Sequence, residues 1–97
     1  MYQAPLDDMK FVLRHLVGID RVAAMPGYDM VSDDLVDAVL DEAGKLAGEV
    51  LAPLNHSGDM IGSVRNEDGS VTTPPGFRDA WAAMAEGGWV GLNADPE

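Results

Sequence analysis

The chain contains no cysteine among its 97 residues. That excludes disulfides, thiolate metal centres and a cysteine nucleophile together, and it accords with a reducing, cytoplasmic setting. Basic residues are scarce, six against 17 acidic ones, for a formal charge of −11. A nucleic-acid binder needs a basic footprint to neutralise phosphates, and an anionic membrane surface needs the same, so neither partner is expected. No uninterrupted apolar run approaches the roughly 20 residues that span a bilayer, and no membrane span is expected. The first residues carry Asp7 and Asp8 where a signal peptide would need positive charge and then an apolar run. The sequon at Asn55, His56 and Ser57 therefore has no export signal beside it. Histidine occurs twice, at His15 and His56, in no metal-binding spacing. A phosphate-binding glycine loop, a nucleophile elbow and a Ser/His/Asp arrangement are all missing.

What is present is apolar periodicity. The apolar fraction of 46% is ordinary for a globular protein. The longest periodic stretch covers residues 32–55, with Leu35, Val36, Val39, Leu40, Ala43, Leu46, Ala47, Val50, Leu51 and Leu54 recurring at steps of three and four. That spacing draws one continuous face of an α-helix. Asp34, Asp37, Asp41, Lys45 and Glu49 occupy the opposite face. Ser32 is placed to cap the helix, and Asp33 and Asp34 put negative charge at the positive end of its dipole. Gly44 and Gly48 fall on one side, which predicts a close approach by another helix. Pro53 has no N–H and clashes with the carbonyl four residues back, so the helix is expected to kink or end there.

Residues 1–31 read as an N-terminal helix and connector. Asp7 or Asp8 caps a helix whose stripe is Phe11, Val12 and Leu16, with Lys10 and Arg14 as a basic pair on another side. Gly18 is a plausible stop, the alternative being a helix that runs on to about Val22. Pro26 and Gly27 mark a turn. Residues 56–75 read as a short hairpin: apolar runs around Val64 and Val71 flank a turn at Asp68 and Gly69. Residues 76–97 supply a third helix, with Phe77, Ala80, Trp81, Met84 and Ala85 on one face and Gly87 and Gly88 at its end. Trp89, Val90, Gly91 and Leu92 then form a short strand or turn. The expected fold is mainly α, three helices with one short β-hairpin, in a single domain that is incomplete.

Candidate chemistry in these elements is thin. His15 and His56 read as helix-surface residues. The acidic run Asp33, Asp34, Asp37, Asp41 and Glu42 lacks the loop that a calcium site requires and reads as a solvated face. Trp81 and Trp89, the largest apolar side chains, are expected in the core or at an interface.

In order and spacing, four stretches resemble the N-terminal end of the flavin-dependent acyl-CoA dehydrogenases, and within them the bacterial subgroup that includes 3-methylmercaptopropionyl-CoA dehydrogenases. The first is Tyr2, Ala4, Pro5, Leu6, Asp8, Met9, Phe11 and Leu13. The second runs from Glu49 through Val50, Leu51, Ala52, Pro53 and Leu54 to Asn55, with Gly58 and Asp59 after it. The third is Asp68, Gly69, Val71, Thr73, Pro74, Gly76 and Phe77; the fourth is Gly88, Trp89, Gly91 and Leu92. His15 and residues 22–30 depart from the pattern.

The resemblance implies a helical domain at the head of an enzyme that removes the α-proton of an acyl-CoA with a carboxylate base and passes the β-hydride to FAD. It also implies that acyl-CoA, the remainder of the chain and a second copy in a homo-oligomer are the partners of the complete enzyme. The base and most FAD contacts fall in later domains, so no catalytic, cofactor-binding or metal residue is carried over onto this sequence. Two other functions fit the composition. One is a stand-alone acidic interaction module using Trp81 and Trp89. The other is an acyl-carrier-like protein, for which Ser32 would have to bear the phosphopantetheine arm without the usual Asp-Ser-Leu context.

Overall fold

A computed structural model of the chain describes residues 1–95. It is mainly helical with one two-stranded hairpin, and the chain divides into two compact units, Met1–Gly48 and Glu49–Glu97.

In the first unit, α1 (Leu6–Val12) begins directly after Pro5. Asp7 and Asp8 lie inside its first turn rather than at its cap, and Pro5 occupies the cap position without a side-chain hydrogen bond. Their charge still faces the positive end of the helix dipole. The backbone then widens into a π-helical stretch, Leu13–Val17, and stops at Gly18, whose φ of 77° is the left-handed conformation that glycine reaches without steric cost. A short α2 (Ile19–Ala23) follows. Both alternatives for this end thus contain part of the answer: the helix stops at Gly18 and a new one restarts at once. Ile19, 7% exposed, is the buried apolar side chain of this unit among the described residues.

The third helix, α3 (Asp33–Lys45), is capped as expected. Ser32 is extended and its Oγ accepts a hydrogen bond from the Leu35 N–H at 3.1 Å. Capping of this kind typically contributes about 1 kcal/mol. Helical backbone does not end near Pro53. A π-helical stretch occupies Leu46–Leu51, and α4 (Ala52–Ile61) carries the helix on to Ile61. The local reason is that Pro53 falls in the first turn of α4, where an N–H has no intrahelical partner to lose. Residues 56–61, expected within the hairpin segment, are therefore helix.

In the second unit, β1 (Val64–Arg65) pairs antiparallel with β2 (Val71–Thr72), Val64 opposite Thr72 and Arg65 opposite Val71. The intervening turn closes through the Gly69 N–H on the Asn66 carbonyl at 3.0 Å, with Gly69 left-handed. All four strand residues are exposed, so the turn carries much of the hairpin's definition. After Pro74 and Pro75 comes α5 (Phe77–Glu86), ended at Gly87 and Gly88. Trp89–Gly91 form one 3₁₀ turn, not a strand. In this unit Ala80, 6% exposed, is buried, and so is Pro74.

Candidate functional site

Two surfaces hold what chemistry the described residues offer, one in each unit. The first is an ionic ladder between α1 and α3. Lys10 Nζ donates to Asp41 Oδ1 at 2.8 Å, and Arg14 Nη2 donates to Asp37 Oδ2 at 2.6 Å. Arg14 Nε also lies 3.7 Å from Asp33 Oδ1. Beyond the ladder, Leu6 covers Gly44 so closely that a Cβ there would stand 3.0 Å from Leu6 Cδ1, and the Tyr2 carbonyl would stand 3.2 Å from a Cβ on Gly48. The contacts run from residue 14 at the start of α3 to residue 2 past its end, so α1 lies antiparallel to α3. The expected close approach at Gly44 is thus made by α1; at Gly48 it is made by the extended chain before it.

The acidic run is largely exposed, as expected of a solvated face, and part of it also pairs with the two cations. Asp33, Asp37 and Asp41 recur at steps of four, on the side of α3 turned to α1. The pairing shifts the cations as expected. The hydrogen bond to Asp41 holds the Lys10 ammonium above its ordinary pKa, and the hydrogen bond and charge of Asp37 do the same for Arg14. Asp37 Oδ1 is buried with no hydrogen-bond partner among the described residues. Outward from the ladder, Phe11, Val12 and Leu16 are exposed, Leu16 to 69%. His15 lies against Phe11, ring centroids 4.7 Å apart.

The second surface is an apolar groove of about 530 Å³ between α4 and α5. Leu51, Leu54, Phe77, Trp81 and Met84 line it, with Gly58 at its floor and Asn55 and Asp59 at its polar edge. Gly58 is buried because the Phe77 ring lies over it, and a Cβ there would stand 2.6 Å from two ring carbons. The apolar face expected for the third helix therefore meets α4. Trp81 does not reach a core: it is 60% exposed at the groove. Trp89 is half-buried, folded back so that its Nε1 would touch a Cβ on Gly87. His56 is exposed on α4, and the Ser32 hydroxyl is engaged as a helix cap.

Among the described residues no group of three or more His, Cys, Asp or Glu side chains gathers into a metal-binding cluster, and no helix is long and apolar enough to cross a membrane. The hairpin turn is a local polar knot. Asp68 Oδ1 accepts from the Ser70 N–H at 2.9 Å and the Ser70 Oγ–H at 2.6 Å, and Asn66 Nδ2 donates to Ser70 Oγ and Thr72 Oγ1. Hydrogen bonds from Ser70 lower the Asp68 pKa. A lowered carboxylate pKa contributes stability that is present above the unfolded value and lost as pH falls through the folded one. Amide exchange at Ser70 is therefore expected to be slow at neutral pH and to lose protection, beyond the intrinsic pH trend, only below the ordinary aspartate range; protection independent of pH would show that Asp68 does not hold this turn.

No protein-family model matches the chain. It is 36% identical over 96 residues to the 3-methylmercaptopropionyl-CoA dehydrogenase of Ruegeria pomeroyi, a match that covers 99% of this chain and 16% of that protein. It is 29% identical over 90 residues to the butyryl-CoA dehydrogenase of Syntrophomonas wolfei subsp. wolfei, covering 90% of this chain and 15% of that protein. The chain thus spans about one sixth of the length of the curated relatives it matches. Nearly all of it is related in sequence to a segment of the acyl-CoA dehydrogenases.

Proposed function

We propose that the chain is the N-terminal helical part of an FAD-dependent acyl-CoA dehydrogenase and serves that enzyme as scaffold, while the α,β-dehydrogenation of the acyl-CoA thioester is carried out by residues outside it. The observation that carries this reading is the match of 99% of the chain to 16% of a dehydrogenase. Its physical support is the distribution of apolar surface. Leu16, Met60, Ile61, Trp81 and Leu92 are all exposed, while Ile19, Pro74 and Ala80 are buried. Apolar surface left open on this scale marks faces that another part of a protein covers. The groove between α4 and α5 and the outer stripe of α1 are those faces.

The described residues do not fit an FAD site. A flavin dinucleotide needs cations or free backbone N–H groups at its pyrophosphate. Lys10, Arg14 and Lys45 each hold a carboxylate, and Arg21, Arg65 and Arg78 stand on three separate elements, α2, β1 and α5. FAD and acyl-CoA are accordingly assigned to the complete enzyme, together with its homo-oligomeric assembly.

The test is purification of the chain by itself. It is expected to show no flavin absorption band, no oxidation of acyl-CoA, and association through its apolar faces in size-exclusion chromatography. A copurifying flavin would overturn the scaffold assignment. A sharp, single oligomeric species with strong near-ultraviolet circular dichroism would favour a stand-alone interaction module built on the Trp81 surface.

A further inference from the structure

Three features of the Met1–Gly48 unit belong together. Lys10 on α1 and Arg14 in the π-helical stretch that continues it face α3, where Lys10 meets Asp41 and Arg14 meets Asp33 and Asp37. Apolar contact shares that seat: Leu6 lies over Gly44, and Leu6 and Leu13 are half-buried. The stripe of Phe11, Val12 and Leu16 points the other way and is exposed. The observed rotation leaves the larger apolar stripe outside and brings both cations onto the carboxylates of α3.

We propose that the Lys10/Arg14–Asp33/Asp37/Asp41 ladder is an electrostatic latch that fixes the seat and rotation of α1 on α3, making α1 a salt-releasable arm that presents its apolar stripe outward. The geometry supports a latch in two ways. Arg14 bridges Asp33 and Asp37, so one guanidinium ties two successive turns of α3. Lys10 is 19% exposed along its side chain, so its ammonium is partly shielded from solvent. Asp7 on α1 and Asp37 and Asp41 on α3 face Lys10; Asp33 and Asp37 face Arg14. Both cations are held by carboxylates, so the latch is sensitive to screening by salt. An arm held this way can be handed from α3 to another surface without unfolding a core, because no residue of α1 is buried.

Site-resolved amide exchange of the 97-residue chain tests this, with α5 as the internal control. Raising NaCl from roughly 0.05 M to 1 M shortens the Debye length to about 3 Å. Exchange of the α1 amides is expected to accelerate about two- to fivefold, while α5 amides change by less than that, the modest response of exposed ion pairs to screening. Lys10→Met with Arg14→Met should give the fast rate at low salt and abolish the salt response. The charge swap Lys10→Asp with Asp41→Lys should restore both, which mere loss of packing at position 10 would not. Exchange of α1 that ignores salt, a swap that fails to rescue, or an α1 unprotected at every salt concentration would each overturn the latch.

Discussion

Ala80→Asp is expected to unfold the Glu49–Glu97 unit. Ala80 is buried, on the α5 face that carries Phe77, Trp81 and Met84. A carboxylate placed there meets no cation lining the groove, and Asp59 stands at the same groove as a like charge. Burying an unpaired charge costs several kcal/mol, or else forces the group to protonate. The unit has little stability to lose: at roughly 0.05–0.15 kcal/mol per residue, a stretch of this length holds only a few kcal/mol. Trp81 and Trp89, the chain's two tryptophans, both belong to this unit, so near-ultraviolet circular dichroism and tryptophan emission report on it directly. The expected result is loss of the tryptophan signal for Ala80→Asp and its retention for Ala80→Ser, whose hydroxyl can bond back to the helix carbonyls. An Ala80→Asp chain with an unchanged tryptophan signal would mean that position 80 is not buried in this unit.

The same unit shows how far the sequence could be read. The apolar period of α5 and its glycine end were legible because both rest on local rules: a 3.6-residue repeat and a left-handed stop. The Ser32 cap and the break at Gly18 were legible on the same grounds. The continuation of helix to Ile61 was not. Gly58 reads as a helix breaker in isolation, yet in the fold it is the residue that leaves room for the Phe77 ring, and that reason lies about twenty residues away. The two π-helical stretches, at Leu13–Val17 and Leu46–Leu51, leave no mark in composition, because widening the hydrogen-bond register by one residue changes no residue type.

Electrostatic pairing was the other blind point. A helical wheel separates charged from apolar residues, and the usual inference is that the charged side faces water. On α3 the recurrence of Asp33, Asp37 and Asp41 was visible, as was the Lys10 and Arg14 pair on α1. What the sequence could not state is that these two sets face each other. That follows only when the antiparallel seat is known, with Gly44 under Leu6 setting the distance. Trp81 failed for a related reason. Large apolar side chains default to the interior, but a segment whose covering surface lies elsewhere in a larger protein leaves them exposed, and Trp81 is exposed here. The resemblance to acyl-CoA dehydrogenases and the open groove thus point the same way from independent observations.

Gly76→Ala is expected to destabilise α5 and the groove it shares with α4. Gly76 caps α5 with φ 87° and ψ −16°, and its carbonyl accepts the Ala80 N–H at 2.9 Å, the bond that starts the helix. An L-residue in that left-handed conformation costs roughly 1–2 kcal/mol. A Cβ at this position would also stand 2.7 Å from Leu54 Cδ2, so the Leu54 side chain on α4 must move out of the groove wall it helps to build. Together the two effects should cost about 2 kcal/mol, lowering Tm by about 8–16 °C at the 4–8 °C per kcal/mol typical of small domains. The contributions separate by substitution. Asparagine tolerates the left-handed region and is a good N-cap, so Gly76→Asn should lose less stability than Gly76→Ala if backbone strain dominates. Combining Gly76→Ala with Leu54→Ala removes the clash but not the strain, and should recover less than half of the loss relative to Leu54→Ala alone. Equal or higher Tm for Gly76→Ala would show that residue 76 does not adopt the left-handed conformation on which the start of α5, and with it the groove, depends.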